Sequence, residues 1–231
     1  MGNLRFRPLW RGLVLTPTQS IVKRIFDFSL AIVGLLLTCW IIAIAWLVAR
    51  IDCRTNGFFT QTRIGLDGKR FKVIKIRTMR VIDPSQEDEE LDGPLVKIGG
   101  RWTTVTTASD PRITPIGRFW RKTKVDELPQ LINVLLGQMS FVGPRPDVPG
   151  FADLLEGEDR IILKVRPGIT GPATLKYRNE EEILASVVDP EEFNREVIYP
   201  DKVRINREYV ENWSFMRDIL YILKTILPSK N

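Results

Sequence analysis

The stretch IFDFSLAIVGLLLTCWIIAIAWLVA, residues 25–49, decides how this chain is built, because its only charged residue is Asp27 near one end. As an α-helix, this 25-residue stretch extends about 37 Å, which exceeds the hydrocarbon thickness of a bilayer. A cleaved signal peptide is disfavoured, since the apolar stretch is too long and charged residues follow it directly. A buried core helix is the alternative, but the length favours a membrane helix.

Basic residues flank this segment on both sides. Because Lys and Arg beside a membrane segment mark its cytoplasmic side, we expect both ends to face the cytoplasm and the segment to re-enter the leaflet it came from. We also expect Lys23 and Asp27, one helical turn apart, to pair at the membrane surface. The flanking residues are Arg5, Arg7, Arg11, Lys23 and Arg24 before the segment and Arg50, Arg54 and Arg63 after it.

The charge of the chain is unevenly distributed. Net charge is +6, and residues 1–80 hold 14 of the 34 Lys and Arg but only 3 of the 28 Asp and Glu. This basic part predicts an anionic partner, either nucleic acid or a phospholipid surface. The membrane segment favours phospholipid, and the chain has no recognisable nucleic-acid-binding motif. With no histidine, imidazole catalysis and His-ligated zinc are excluded, and the two cysteines suit a reducing compartment.

After the membrane segment, GFFTQTRIGLDGKRFKVIKIR, residues 57–77, predicts two short strands around an Asp67-Gly68 turn. Residues 83–110 are rich in Asp, Glu, Gly and Thr and predict a loop. Within it, the run from Glu87 to Glu90 is interpreted as a solvated face rather than a metal site.

Helical patterns dominate the second half of the chain. Residues 115–124 predict a helix, and a further helix is expected over 127–136, ended by Gly137. Residues 212–227 form a largely apolar helix with a narrow polar edge, which packs either in the core or on a membrane. Residues 1–20 predict an amphipathic interfacial segment, with a frayed tail as the alternative.

The predicted fold class is therefore α+β. We expect a mostly helical domain with a short β-hairpin, anchored by an N-terminal re-entrant membrane helix and amphipathic interfacial helices. Residues 1–54 are assigned to the interfacial segment and membrane helix, and residues 55–231 to a cytoplasmic domain on the membrane.

The stretch KVDELPQLINVLLGQMSFVGPRP, residues 124–146, places the adjacent carboxylates Asp126 and Glu127 before a proline. On its own this is an ordinary helix start. However, Arg118, Arg121, Lys122 and Lys124 precede it, and cations beside a helix N-terminus form an anion site. Carboxylates in a phosphate site are useful if one attacks the phosphorus or holds a metal against it.

Arg145 is expected to return to the same place. A ten-residue helix runs about 15 Å outward, and an extended return at about 3.3 Å per residue covers that distance. Pro144 and Pro146 restrict the backbone around Arg145, whose planar fork suits bidentate phosphate contact. The alternative is a loop arginine that pairs with Asp147.

These residues resemble a known family. RITPIGRFWRKTKVDELPQLINVLLGQMSFVGPRP, with FKVIKIRTM and VRPGITGPA, is similar to the bacterial sugar transferases, the monotopic polyprenyl-phosphate phosphoglycosyl transferases. The resemblance covers roughly residues 20–228 and indicates the minimal catalytic form.

The resemblance implies a reaction. A sugar-1-phosphate would pass from a UDP-sugar to polyprenyl (undecaprenyl) phosphate at the cytoplasmic face of the bacterial inner membrane, releasing UMP. This would be the first membrane step of surface-glycan or exopolysaccharide biosynthesis. The sequence leaves the sugar and the oligomeric state, including a homodimer, undecided.

The resemblance also implies roles for individual residues. Asp126 would be the nucleophile of a ping-pong reaction through a covalent aspartyl phospho-sugar, and Glu127 would bind Mg²⁺. Phosphate contacts are expected from Arg121 and Arg145, and from Lys75 and Arg77 unless these two are merely surface charge. Three departures stand out. Lys124-Val125 stand where members commonly have Ser-Leu, and Thr38-Cys39 stand at the re-entrant turn where members commonly have Ser-Pro. The region around Tyr177 to Pro200 is longer than in minimal members, and we expect it to shape the sugar pocket. Thr38 can bond to a carbonyl one turn earlier.

Two other functions stay open. A membrane-anchored, Mg²⁺-dependent phosphohydrolase would use the same acids and arginines with water as acceptor. A non-catalytic membrane tether would use only the basic surface and the C-terminal helix.

Overall fold

The computed structural model describes residues 15–80, 96–98, 101–103 and 110–227, so the expectations for residues 1–14 and for Glu87–Glu90 lie outside it. The first helix, α1, spans Pro17–Cys53 and is continuous over 37 residues. Thr16 accepts a hydrogen bond from the Gln19 N–H, and the Gln19 side chain accepts one from the Thr16 N–H, which forms a capping box. The helix therefore extends beyond the predicted segment at both ends.

One face of α1 packs on the rest of the protein and the opposite face is exposed and apolar. Ala31, Ala45 and Ala49 are buried, whereas Leu36 and Leu37 are 72% and 68% exposed. Among the described residues this is the one helix long and apolar enough to cross a membrane, and most of its apolar window is not buried by protein. An exposed apolar face of this size fits a membrane anchor.

In the residues that the structure describes, the strands form three small two-stranded sheets. The predicted hairpin is confirmed, because β1 (Phe58–Ile64) pairs antiparallel with β2 (Arg70–Ile76), and Asp67 at φ 56° and Gly68 at φ 78° make the turn. The predicted loop over 83–110 is wrong in part, because β3 (Val96–Ile98) and β4 (Arg101–Thr103) form an antiparallel pair within it. In the third sheet, β5 (Ser140–Val142) pairs parallel with β6 (Gly168–Thr170).

Helices make up most of the remaining structure, so the mostly helical α+β class is confirmed. Gly137, at φ 78°, ends the helix before it as predicted. After α1 the helices are α2 (Pro115–Thr123), α3 (Gln130–Leu135), α4 (Pro172–Lys176), α5 (Glu180–Ala185), α6 (Pro190–Phe193), α7 (Tyr199–Glu211) and α8 (Phe215–Ile226). Short 3₁₀ segments lie at Leu66–Gly68, Val125–Glu127, Ala152–Leu154 and Gly157–Lys164, and a π-helical turn lies at Asn194–Ile198.

The membrane helix contributes to the core of the protein. Its C-terminal half, with Ile42, packs on Ile76 of β2 and Trp120 of α2. Its N-terminal half packs through Ala31 against Val134 of α3. Because both halves contact the same body of protein, α1 lies along the domain instead of projecting from it.

A buried polar cluster joins α1 to α8. The Lys23 ammonium donates to Asp218 Oδ2 at 2.5 Å, and Asp218 also accepts from the Tyr209 hydroxyl at 2.7 Å and the Trp213 indole at 3.0 Å. Asp27 instead accepts from the backbone N–H of Phe141 at 3.1 Å. The predicted Lys23–Asp27 pair is therefore wrong, because each side chain finds a partner far away in the chain.

The C-terminal helix α8 has its apolar side chains outside. Asp218 is turned inward and buried, whereas Met216, Leu223 and Ile226 are exposed. Asp218, which belongs to the predicted narrow polar edge, therefore faces the interior of the protein. A helix with its acid inside and its apolar residues outside suits contact with lipid, as does the exposed face of α1.

Candidate active site

A tight turn between α2 and α3 carries Asp126 and Glu127. Lys124, in the left-handed conformation at φ 60°, ends α2, and the 3₁₀ turn Val125–Glu127 follows. The backbone N–H of Glu127 bonds to Lys124 O at 3.2 Å. The predicted single helix over 127–136 is wrong in its start, because α3 begins only after Pro129, which has no N–H to donate.

The Asp126 carboxylate is buried and lacks hydrogen bonds on one oxygen. Its Oδ1 has no partner among the described residues. Burial, followed by the charge of Glu127, raises the pKa of Asp126 above its usual value, while Lys75 and Arg121 oppose the rise. An oxygen in this position is not held by the protein and can approach a ligand.

The neighbouring Glu127 carboxylate has the opposite surroundings. Arg145 donates from Nη2 to Oε1 at 2.7 Å and from Nη1 to Oε2 at 3.5 Å, and the Lys75 ammonium lies 3.5 Å from Oε1. Burial opposes ionisation, but Arg145 and then Lys75 outweigh it and hold the pKa of Glu127 well below its usual range. Arg145 thus reaches the Asp126–Glu127 pair as predicted, and the alternative pairing with Asp147 is not observed.

Lys75 and Arg77, two residues apart at the end of β2, have different surroundings. Lys75 lies at the acid pair, and burial lowers its pKa to about 8. Arg77 donates to the backbone oxygen of Asn56 at 2.8 Å and lies over the ring of Phe59. None of the ion pairs between described residues joins Arg77 to Asp126 or Glu127, so of these two residues only Lys75 is brought to the site.

Asn133 positions β2 against α3, and the sequence reasoning did not single it out. Its side chain accepts from the Ile74 N–H at 3.0 Å and donates to Lys72 O at 2.8 Å. These bonds fix the strand that carries Lys75 relative to the turn that carries Glu127. An amide inside the apolar run LINVLL is the signal that could have identified it, since a buried amide needs partners.

Arg121 meets a helix from the second half of the chain. Its guanidinium pairs with Glu181 of α5, and its Nε is buried with no hydrogen-bond partner in the described part of the chain. The adjacent Glu180 accepts from the Lys202 ammonium at 2.6 and 2.7 Å. The structure therefore places α5 beside the predicted phosphate-binding residue.

At the expected re-entrant turn, the helix hydrogen bonds of α1 continue through Thr38 and Cys39. The Thr38 hydroxyl donates to Gly34 O at 2.7 Å, as predicted. A methyl group at Gly34 would lie 3.1 Å from a methyl carbon of Leu131, so the absence of a side chain lets α3 approach. Re-entry into one leaflet stays a prediction.

Comparison with known proteins gives a consistent result. Residues 18–229 match the family described as bacterial sugar transferase. The chain is 32% identical over 210 residues to the exopolysaccharide production protein ExoY of Sinorhizobium fredii, covering 91% of this chain and 86% of that protein.

Two longer proteins are also similar. The UDP-glucose:undecaprenyl-phosphate glucose-1-phosphate transferase of Escherichia coli is 34% identical over 217 residues, 92% of this chain and 41% of that protein. The galactosyl transferase CpsE of Streptococcus agalactiae is 38% identical over 212 residues, 90% of this chain and 42% of that protein. This chain therefore aligns with less than half of each longer protein.

Proposed function

The chain belongs to the bacterial sugar transferase family, and we propose that this phosphoglycosyl transferase moves a sugar-1-phosphate from a UDP-sugar to polyprenyl phosphate. The observation that carries the proposal is Asp126, a buried carboxylate with an oxygen that lacks a partner, next to cations from three elements. Lys75, Arg121 and Arg145 come from β2, α2 and the loop after β5.

In the first step, an Asp126 oxygen attacks the β-phosphorus of the UDP-sugar. The new bond joins this oxygen to phosphorus, and the bond from the β-phosphorus to the bridging oxygen breaks, so UMP leaves. The product on the protein is an acyl phosphate that carries the sugar. A carboxylate nucleophile divides one difficult transfer into two easier ones.

In the second step, a phosphate oxygen of the polyprenyl phosphate attacks the same phosphorus. The bond from phosphorus to Asp126 breaks, which restores the carboxylate and yields polyprenyl diphosphate sugar. The two substrates can use one site in turn, which is the ping-pong order.

The other residues orient groups and balance charge. Glu127 is ionised and held by Arg145, so the guanidinium stands beside Asp126 with its fork fixed. Lys75 and Arg121 supply positive charge near Asp126, where a diphosphate would place negative charge.

The residues present also fit the Mg²⁺ that we propose as cofactor. Among the described residues no three or more His, Cys, Asp or Glu are grouped so that they could hold a metal ion by themselves, but Mg²⁺ takes one or two carboxylates together with substrate phosphates. Glu127 would hold the ion, which would neutralise phosphate charge when bound. Chelation with EDTA should abolish transfer, and added Mg²⁺ should restore it.

We place the reaction at the cytoplasmic face of the inner membrane. The support is that both halves of α1 pack on the domain that carries Asp126, while the exposed apolar faces of α1 and α8 need a lipid surface.

The test is incubation with single UDP-sugars, followed by intact-mass measurement. One UDP-sugar should add the mass of its sugar phosphate and release UMP without acceptor, and Asp126→Asn should show neither. Release of inorganic phosphate would instead support the phosphohydrolase. No UMP from a broad UDP-sugar panel with polyprenyl phosphate, together with full cellular function of Asp126→Asn, would support the tether.

A further inference from the structure

Two adjacent carboxylates of α5, Glu180 and Glu181, face cations of the active site. We call them the α5 acid pair. Glu180 accepts two hydrogen bonds from Lys202 of α7, at 2.6 and 2.7 Å, and Glu181 pairs with Arg121 of α2. Glu180 also acts on Arg145, because its negative charge contributes to raising the pKa of the Arg145 guanidinium.

The cations hold the α5 acid pair from separate elements of the fold. Arg121 precedes the Asp126–Glu127 turn, and Lys202 lies in the first turn of α7. The side chains of Arg121 and Lys202 are only 22% and 19% exposed, so each is largely enclosed beside its carboxylate. Two cations around two adjacent anionic groups form an arrangement suited to a diphosphate.

Arg121 has further capacity for an anion. Its Nε is buried and has no hydrogen-bond partner, while Glu181 takes only Nη2 among the described contacts. A guanidinium offers five N–H donors in a planar fork, and a phosphate group has more acceptor oxygens than a carboxylate. The Glu181 carboxylate therefore accepts from fewer N–H donors of Arg121 than a phosphate group would.

We propose that Arg121 and Lys202 together bind the diphosphate of the nucleotide-sugar donor, and that the α5 acid pair occupies this subsite until the donor displaces it. The proposal rests on the proposed function and deepens it. Lys202 becomes a donor-binding residue, and α5 becomes the element that moves.

The packing of α5 permits this exchange. The helix has six residues, and Leu184 is the one buried residue among them. Val188, just beyond it, is fully exposed. Although the two cations are largely enclosed, the Glu181 and Glu180 side chains are 45% and 26% exposed, so water can take their place and a ligand with two phosphates can replace them. Moving both glutamates away would also leave more positive than negative charge at the site.

The experiment measures binding of UDP, which has the diphosphate but no sugar to transfer, by titration calorimetry on the full-length protein in lipid nanodiscs. Glu180→Gln and Lys202→Gln remove opposite partners of one ion pair. If Lys202 only anchors α5, both changes free the helix and shift the affinity in the same direction. If Lys202 binds diphosphate, the two changes act in opposite directions.

We expect Glu180→Gln and Glu181→Gln each to tighten UDP binding about threefold, the size of a partly exposed ion pair. Lys202→Gln should weaken it about tenfold, as expected for a lost charged hydrogen bond. Lys202→Arg, which keeps the charge, should bind within a few-fold of the unchanged protein. Glu182→Gln is the matched control, because Glu182 is exposed on the same helix and its side chain makes no hydrogen bond or ion pair among the described residues.

UMP has a single phosphate group, so the effects on UMP binding should be smaller than those on UDP binding. Equal effects on both, a shift in the same direction for Glu180→Gln and Lys202→Gln, or no shift would overturn the subsite while leaving a UMP-releasing transferase intact. If the unchanged protein binds no UDP and releases no UMP from any UDP-sugar, the subsite and the proposed function both fail.

Discussion

Asp126 and Glu127 are neighbours in the chain, yet the structure places their carboxylates in different surroundings. Glu127 is held by Arg145 and Lys75, whereas Asp126 keeps a buried oxygen without a partner. The sequence could identify both residues but could not assign Arg145 to Glu127, because that contact depends on how the loop after β5 returns. The difference between the two carboxylates therefore depends on Arg145 and Lys75, which both contact Glu127.

At this scale we predict that Arg145 is needed for its shape as well as its charge. Arg145→Gln leaves the buried Glu127 carboxylate with Lys75 as its one remaining cationic partner in the described structure, and turnover should fall about 100-fold as groups shift at the site. Arg145→Lys keeps the positive charge but lacks the planar guanidinium, so its turnover should lie between that of Arg145→Gln and that of the unchanged protein. Initial rates of UMP release measure the effect.

Arg118→Lys is the matched control, since Arg118 is exposed on α2 and should tolerate the change. An Arg145→Lys enzyme as fast as the unchanged protein would show that the bidentate contact is unimportant.

At the scale of elements, local signals in the sequence predicted local structure. Asp67-Gly68 indicated the hairpin turn, and Gly137 indicated the end of α3. Both signals are reliable because these positions need a positive φ, which few other residue types adopt. The start of α3 was missed, since a 3₁₀ turn and a helix share the same residue preferences. Partners that lie far apart in sequence, such as Lys23 and Asp218, have no periodic pattern that would reveal them.

The contact between α3 and β2 leads to the next prediction. Asn133→Leu removes the side chain that pairs Ile74 N–H and Lys72 O, and an unpartnered buried polar group costs about 1–3 kcal/mol. We expect a lower thermal midpoint in detergent and slower UMP release, because Lys75 loses its fixed position.

Gln138→Ala is the control here. Its side chain accepts from the Asn133 amide at 2.7 Å, but its removal leaves both strand bonds in place. Equal thermal midpoints for Asn133→Leu and the unchanged protein would mean that these bonds do not hold β2.

At the scale of the whole molecule, α1 belongs to the domain as much as to the membrane. It is about 55 Å long, and its two halves pack in different hydrophobic clusters of one body. Ala31 and Ala49 are both buried against that same body, which favours a helix that lies along the domain. The membrane surface is therefore expected to lie along α1 and α8.

We predict that both ends of α1 face the cytoplasm. Single cysteines at Thr18 and Lys69, in a Cys39→Ala, Cys53→Ala background, should both resist a membrane-impermeant thiol reagent in intact cells. Both should react once the inner membrane is opened. Lys69, exposed on the hairpin, is the reference for the cytoplasmic side. Labelling at Thr18 alone in intact cells would mean that α1 spans the bilayer.

The Lys23–Asp218 contact also bears on how the protein is made. Its two residues are 195 positions apart, so a ribosome synthesises Lys23 well before Asp218. Until α8 emerges, the ammonium of Lys23 lacks the Asp218 carboxylate that accepts its hydrogen bond, whereas the apolar face of α1 can already contact lipid. We therefore expect α1 to reach the bilayer before α8 is made, and the buried polar cluster to form only when α8 packs on α1.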